Sequence, residues 1–253
     1  MRNGYAVFKR EVKAYFTQPM AYVMMGGFLL VVGFLYYLQF QFFLRLSGDA
    51  MRHAAGTEEL DVGRLVVSAT IDTIGVVSIF TLPLLTTRLW AAEKRSGTVE
   101  LLLTWPLRDS EIVLGKFFAV LVVYTVLLLL TLLYVLLTAV FATLDPGPIF
   151  SGYLGTFLLG AALLALGFWC STWTESQLVA WAWAWAAFLF FWLINLPANL
   201  VGKLGPVLTH LSFATHYENL VKGVIDTRDV AYFVLFTLFC LFLTLRSLAV
   251  TRW

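Results

Sequence analysis

Six separate stretches of this chain, at 19–40, 65–89, 112–141, 152–172, 177–196 and 230–248, are apolar almost without interruption. Each is close to or above the roughly 20 helical residues that cross a hydrocarbon core of about 30 Å. A soluble domain would instead alternate polar and apolar residues at a period of about 3.6 in helices or about 2 in strands. Lipid offers no hydrogen bonds, so each run must satisfy its backbone internally as a helix; a membrane barrel would show short alternating strands. Composition agrees, with 60% hydrophobic and 13% charged residues among 253, where a soluble domain has about a quarter charged. The expected fold class is an all-α membrane protein with six transmembrane helices in a single domain over 1–253. The first run is full length and lacks a small-x-small exit, so we expect it to remain as a span rather than leave as a signal peptide.

Basic residues orient the bundle. With both termini inside, the inner segments hold Arg2, Lys9, Arg10, Lys13, Arg88, Lys94, Arg95, Arg108, Lys116, Arg246 and Arg252. The outer segments hold only Arg45, Arg52, Arg64, Lys203, Lys222 and Arg228. Eleven against six favours cytoplasmic termini by the positive-inside rule. A net charge of +2 gives no basic footprint for nucleic acid, and none is expected as a partner. Cys170 and Cys240 fall within spans and read as small apolar groups rather than a disulfide framework.

Three segments are not spans. In 1–18, Tyr5, Phe8, Val12, Tyr15 and Phe16 recur at helical spacing opposite Lys9, Arg10 and Lys13. That pattern predicts an interfacial amphipathic helix, an elbow whose Phe8, Val12 and Phe16 meet acyl chains while Lys9 and Lys13 meet anionic head groups. Pro19 then permits a bend into the first span. The segment 90–111 breaks the apolar pattern with dense mixed charge, including Glu93, Lys94 and Arg95. Gly97 permits a turn, Ser96 or Thr98 can cap a short helix, and Val99, Leu102 and Leu103 form its apolar side until Trp105 and Pro106 end it. Taken alone, the pattern fits an ordinary interfacial loop helix better than a crosswise helix that passes motion between the spans and a cytosolic partner. The segment 197–229 reads as short outer-leaflet helices, with Leu204, Val207, Leu208, Leu211 and Phe213 on an apolar face and His210, His216, Tyr217, Glu218 and Lys222 on a polar one.

The chain carries no visible catalytic device. It has no GxxxxGK[ST] loop; Gly115-Lys116 lacks the upstream glycine and the hydroxyl residue. GxSxG and HExxH are also missing. His210, His216 and Glu218 match no common ligand spacing, so no metal site is expected. Ionisable groups deep in spans mark ion pathways, and only Asp72 is a candidate. A carrier or channel working without ATP would line its path with Asp72, Ser68, Thr70, Thr73 and Ser78 on the second span. An intramembrane enzyme would need a base and a nucleophile in the bilayer, and neither is apparent. Gly160, Ala161, Ala165 and Gly167 give the fourth span a small-residue face for close helix approach. Trp169, Trp173, Trp181, Trp183 and Trp185 flank the turn at Glu175 as an aromatic belt, with Trp183 turned away from Trp181 and Trp185.

The order of parts resembles the permease subunits of type-two ABC exporters. The resemblance is carried by the run Pro83-Leu84-Leu85-Thr86-Thr87-Arg88, by Ala92 through Leu102, and by Glu111-Ile112-Val113-Leu114-Gly115-Lys116. Together these look like the family's passage into and out of its coupling helix. Within the family the chain is most similar to the gliding-motility-associated branch, near the nitrous-oxide-reductase maturation permeases. His216-Tyr217-Glu218-Asn219 through Arg228-Asp229 resembles that branch before its last span. The resemblance implies a permease dimer in a bacterial inner membrane, bound to two copies of a separate ABC ATPase that holds ATP and magnesium. This chain would then have no cofactor and no enzymatic activity of its own. The ATPase would dock on Glu93, Arg95, Gly97, Thr98, Glu100, Leu102 and Leu103. An auxiliary membrane protein with a large extracytoplasmic domain is a further expected partner.

Overall fold

The computed structural model describes residues 2–53, 63–95, 109–199 and 205–251, and every regular element among them is helical. Helix α1 covers Arg2–Thr17 and α2 covers Pro19–His53. Only Gln18 separates them. Pro19 lacks an N–H and forces the residue before it out of helical geometry, so the chain bends there and restarts with proline at the first helical position. After a π-helical turn at Gly63–Ser68 come α3 (Ala69–Arg95), α4 (Asp109–Phe141), α5 (Pro146–Ser171) and α6 (Gln177–Leu193). A 3₁₀ turn at Leu196–Asn199 and the short helices α7 (Gly205–Leu211) and α8 (Phe213–Val221) lead into α9 (Thr227–Thr251). Among the described residues, six segments are long and apolar enough to cross a membrane, at the six expected places.

The first span differs in length. Helix α2 continues to His53, thirteen residues past the expected end at 40. Its 35 residues extend about 52 Å at 1.5 Å each, well beyond a core of about 30 Å. Hydropathy falls where lipid ends, but nothing at Gln41 to Ser47 breaks a helix, so the backbone carries on past the apolar run.

Helix α5 is the hub of the bundle. Its most apolar stretch is 72% buried inside the protein, against 17% for that of α6, and it packs on α3, α4, α6, α8 and α9. Small residues make this possible, because helices in lipid associate through close van der Waals fit rather than through escape from water. A methyl group at Gly160 would overlap the Tyr124 ring, and one at Gly167 would overlap the Thr86 side chain. Tyr124 lies flat enough on α5 to donate its hydroxyl to the Thr156 carbonyl at 2.9 Å. On the neighbouring face Tyr217 of α8 rests on Gly75 of α3 and donates to the Ile71 carbonyl at 2.8 Å. Burial pushes the Tyr217 hydroxyl well above the usual tyrosine range, so it serves as a neutral donor. Trp183 turns away from Trp181 and Trp185 as the helical spacing predicts, being exposed while those two stack at 6.0 Å; Trp169 and Trp173 meet edge to face at 4.6 Å.

Candidate functional site

Helix α1 does not merely lie beside the bundle. Its inner face, Gly4, Val7, Glu11 and Tyr15, packs along the first turns of α4, and the two backbones approach closely at Gly115. A Cβ there would stand 3.1 Å from both the Gly4 carbonyl oxygen and Val7 Cγ1. Tyr15 adds a tether to α3 by donating its hydroxyl to the Leu85 carbonyl at 2.9 Å. The elbow is thus bound to the ends of two spans that enclose the charged segment after Arg95.

At the centre of this junction lies Lys116, whose side chain is 1% exposed. Its Nζ is 3.7 Å from Glu11 Oε1 of α1 and 5.0 Å from the centre of the Trp90 ring of α3. A buried ammonium costs several kcal/mol in lost hydration, and the carboxylate with the negative face of the indole offsets much of that. The same Glu11 oxygen accepts from Arg10 at 2.7 Å, so one carboxylate links a surface guanidinium to the interior. Trp90 is fully buried and stacks on Phe168 of α5 at 6.0 Å. Four helices therefore meet through one charge pair and two rings. A shift of α4 at this end cannot leave α1 unmoved without separating Lys116 from Glu11, nor a shift of α3 without breaking the Tyr15 hydrogen bond to Leu85.

The expected docking residues divide. Glu93 and Arg95 lie in the last turn of α3. Gly97, Thr98, Glu100, Leu102 and Leu103 lie outside the described residues. Among the expected elbow residues, Phe8 borders a groove beside α4, Lys9 and Lys13 are exposed, and Val12 and Phe16 are half-buried. Lys116 and Glu11 were not expected as a pair. In the sequence Lys116 counts only as one of the inner basic residues, and nothing in the local pattern signals that Glu11 would face it.

At the other end of α3 and α4, the segment 197–229 corrects its expected polar face. His216 and Tyr217 point inward. The His216 ring has acceptors at both nitrogens, Asp229 Oδ1 at 2.6 Å from Nδ1 and the His210 carbonyl oxygen at 3.0 Å from Nε2. A carbonyl only accepts, so Nε2 donates. Asn219 Nδ2 donates to the second Asp229 oxygen at 3.1 Å, and the ring stacks on Tyr232 at 4.1 Å. Asp229 sits in the first turn of α9, where the helix dipole favours a carboxylate. Glu218, in contrast, forms an exposed pair with Lys222 at 2.6 Å. Val207 and Leu211, expected on the apolar face of the outer-leaflet helices, are exposed. Asp229→Ala leaves a buried imidazole and an amide without their acceptor, at a cost of about 3 kcal/mol. Tryptic cleavage at Lys222 and Arg228 is expected to accelerate at least tenfold in that variant. Glu218→Ala, which removes an exposed pair worth less than about 1 kcal/mol, is expected to leave the rate within twofold.

Asp72 is exposed and lines a cavity of about 770 Å³ with Ser68, Asp145, Glu218 and Lys222. Thr70 and Thr73 turn the other way. Gln39 Nε2 of α2 donates to Thr73 at 2.7 Å, and Thr70 donates to Gln39 Oε1 at 3.0 Å. Ser78 donates to the Ile74 carbonyl at 2.7 Å. The polar residues of the second span thus serve separate packing and surface roles among the described residues, rather than facing one common path.

A family model described as ABC-2 family transporter protein matches residues 5–251. No curated protein matches the chain.

Proposed function

Because this chain belongs to the ABC-2 family of transporter proteins, and is thereby the multi-pass membrane subunit of an ABC transporter, we propose that it is an exporter permease driven by a separate ATPase bound at 93–106. The observation that supports this mechanism most directly is the Lys116 junction. Trp90 lies about one and a half turns before the end of α3, and Lys116 about two turns into α4, so both ends of the proposed docking segment enter the same buried cluster. ATP-driven closure of two ATPase copies would push on that segment, tilt α3 and α4, and carry α1 with them through Glu11. The bundle would then switch between two packed arrangements rather than deform continuously.

In this proposal the chain has no enzymatic activity. ATP and magnesium reside in the partner, and the permease acts as a dimer in the bacterial inner membrane with both termini cytoplasmic. Kinship with the gliding-motility-associated branch, resting on 216–229, brings with it an auxiliary membrane protein with a large extracytoplasmic domain. The cargo is exported or extruded, or force alone is passed to that auxiliary partner.

Affinity purification of the tagged chain in mild detergent tests the assignment. Co-purified ATPase activity is expected, and a Gly97→Trp/Glu100→Lys variant is expected to lose it several-fold while inserting at normal abundance. Undiminished ATPase recovery from that variant would remove 93–106 as the docking element. A lone chain indifferent to ATP would favour an ATP-independent carrier.

A further inference from the structure

We propose that the cavity at the end of the bundle opposite the Lys116 junction is a binding site for an organic cation, an ammonium group carried on an apolar body. The site needs no ATPase and stands whether or not one binds.

The cavity has a volume of about 770 Å³, within the roughly 300–1,000 Å³ of small-molecule sites. The π-helical turn and the first turn of α3 form one side of it. Residues 143–145, between α4 and α5, and the start of α5 form a second, and the end of α8 a third. Its lining has two characters. Val67, Ile71 and Val221 are buried and make an apolar floor with the half-buried Leu144 and Ile149. Asp72, Asp145, Glu218 and Lys222 line the same space and are exposed.

The lining itself selects the occupant. Three carboxylates stand against one ammonium, so the cavity is negative overall. Lys222 is answered within it by Glu218 at 2.6 Å. Asp72 and Asp145 make no hydrogen bond or ion pair among the described residues. The local sequence explains why Asp145 is free. It is the N-cap of α5, where an aspartate ordinarily accepts from the backbone N–H of the second or third helical residue. Pro146 and Pro148 occupy the first and third positions and carry no N–H, and Asp145 makes no capping bond. Among the described residues, no three His, Cys, Asp or Glu side chains stand close enough together to hold a metal ion. A metal ion would also leave the apolar floor uncovered. A cation with an apolar body meets both characters of the lining. The body removes the floor from water, and the ammonium donates charge-assisted hydrogen bonds to the free carboxylates of Asp72 and Asp145.

Equilibrium dialysis of the full chain in dodecyl maltoside at neutral pH against phenylbutylamine, with uncharged phenylbutanol as its counterpart, provides the test. The amine is expected to bind once per chain and about tenfold more tightly than the alcohol. Asp72→Asn/Asp145→Asn is expected to bring the two affinities within about twofold of each other. Thr143→Trp, at an exposed position on the cavity wall, is expected to weaken binding of both. Excess phosphatidylethanolamine separates two sources of the ammonium. Undiminished amine binding assigns the site to a soluble cation, and displaced amine assigns it to the lipid head group. Equal affinity of the unaltered chain for amine and alcohol would overturn the proposal, as would a preference that survives the double aspartate variant. Tighter binding of tetralysine than of the amine would overturn it too, and would assign the cavity to a basic protein segment.

Discussion

Lys116→Glu is expected to release α1 from the bundle while leaving the six spans inserted. The substitution places a second carboxylate within reach of Glu11 at a site where the native side chain is 1% exposed and the Glu11 side chain 13% exposed. Two like charges in that setting, with the cation removed, cost about 3 kcal/mol or more, which is roughly a hundredfold in the docked population. Tyr15 and the Gly115 approach retain part of the docking, so the observable loss is smaller. A direct readout is available. An ideal Cβ at Gly4 lies 3.5 Å from Glu111 Cβ, within the separation that a disulfide spans, and both native cysteines are buried and free. Oxidation of a Gly4→Cys/Glu111→Cys pair is expected to slow about tenfold when Lys116→Glu is added, and to recover in part with Glu11→Lys. Lys116→Met separates charge from folding. Exchanging a buried cation for an apolar side chain of similar length is often neutral in stability, so cross-linking should persist. Fast cross-linking in Lys116→Glu would show that the pair does not hold the elbow. In a complex with the proposed ATPase, Lys116→Glu is further expected to reduce permease-dependent ATPase activity.

Gly160→Leu acts on the hub instead. The added side chain must occupy the space of the Tyr124 ring, and moving that ring breaks its hydrogen bond to Thr156 and its packing between α4 and α5. Overpacking in a rigid interior costs about 3 kcal/mol, and the melting temperature in detergent is expected to fall by on the order of 10 °C. Gly27 provides the contrast within the same molecule. Nothing lies within 4 Å of a Cβ there, and alanine in a helix interior is favoured over glycine by up to about 1 kcal/mol. Gly27→Ala is therefore expected to leave the melting temperature unchanged or slightly raised. Equal losses in both variants would mean that helix flexibility, not the tyrosine seat, governs the response.

Parts of this arrangement are legible along the chain. Span number and position follow from run length against bilayer thickness, because each helix meets lipid as an individual segment and its partition is a local property. Proline at 19, the basic and aromatic stripes of α1, and the outward turn of Trp183 are equally local. The small residues of α5 announce that a helix approaches closely, yet they do not say which. That Gly160 receives Tyr124 and Gly75 receives Tyr217 depends on pairings across 36 and 142 positions of the chain (160 − 124 and 217 − 75).

The polar groups were the least legible. His216 and Tyr217 fall on the polar face of the sequence pattern, yet each is buried with its hydrogen bonds satisfied by partners on α7, α9 or α3. Lys116 counts along the chain only as one of the inner basic residues. Sequence by itself determined a six-span, all-helical protein with an amphipathic first helix, since hydropathy and helical period are set residue by residue against the surrounding solvent. Only the tertiary structure decided that Lys116, Glu11 and Trp90 form one buried cluster and that His216 is closed by Asp229, because the free energy of a buried polar group is fixed by partners that the linear chain does not bring near.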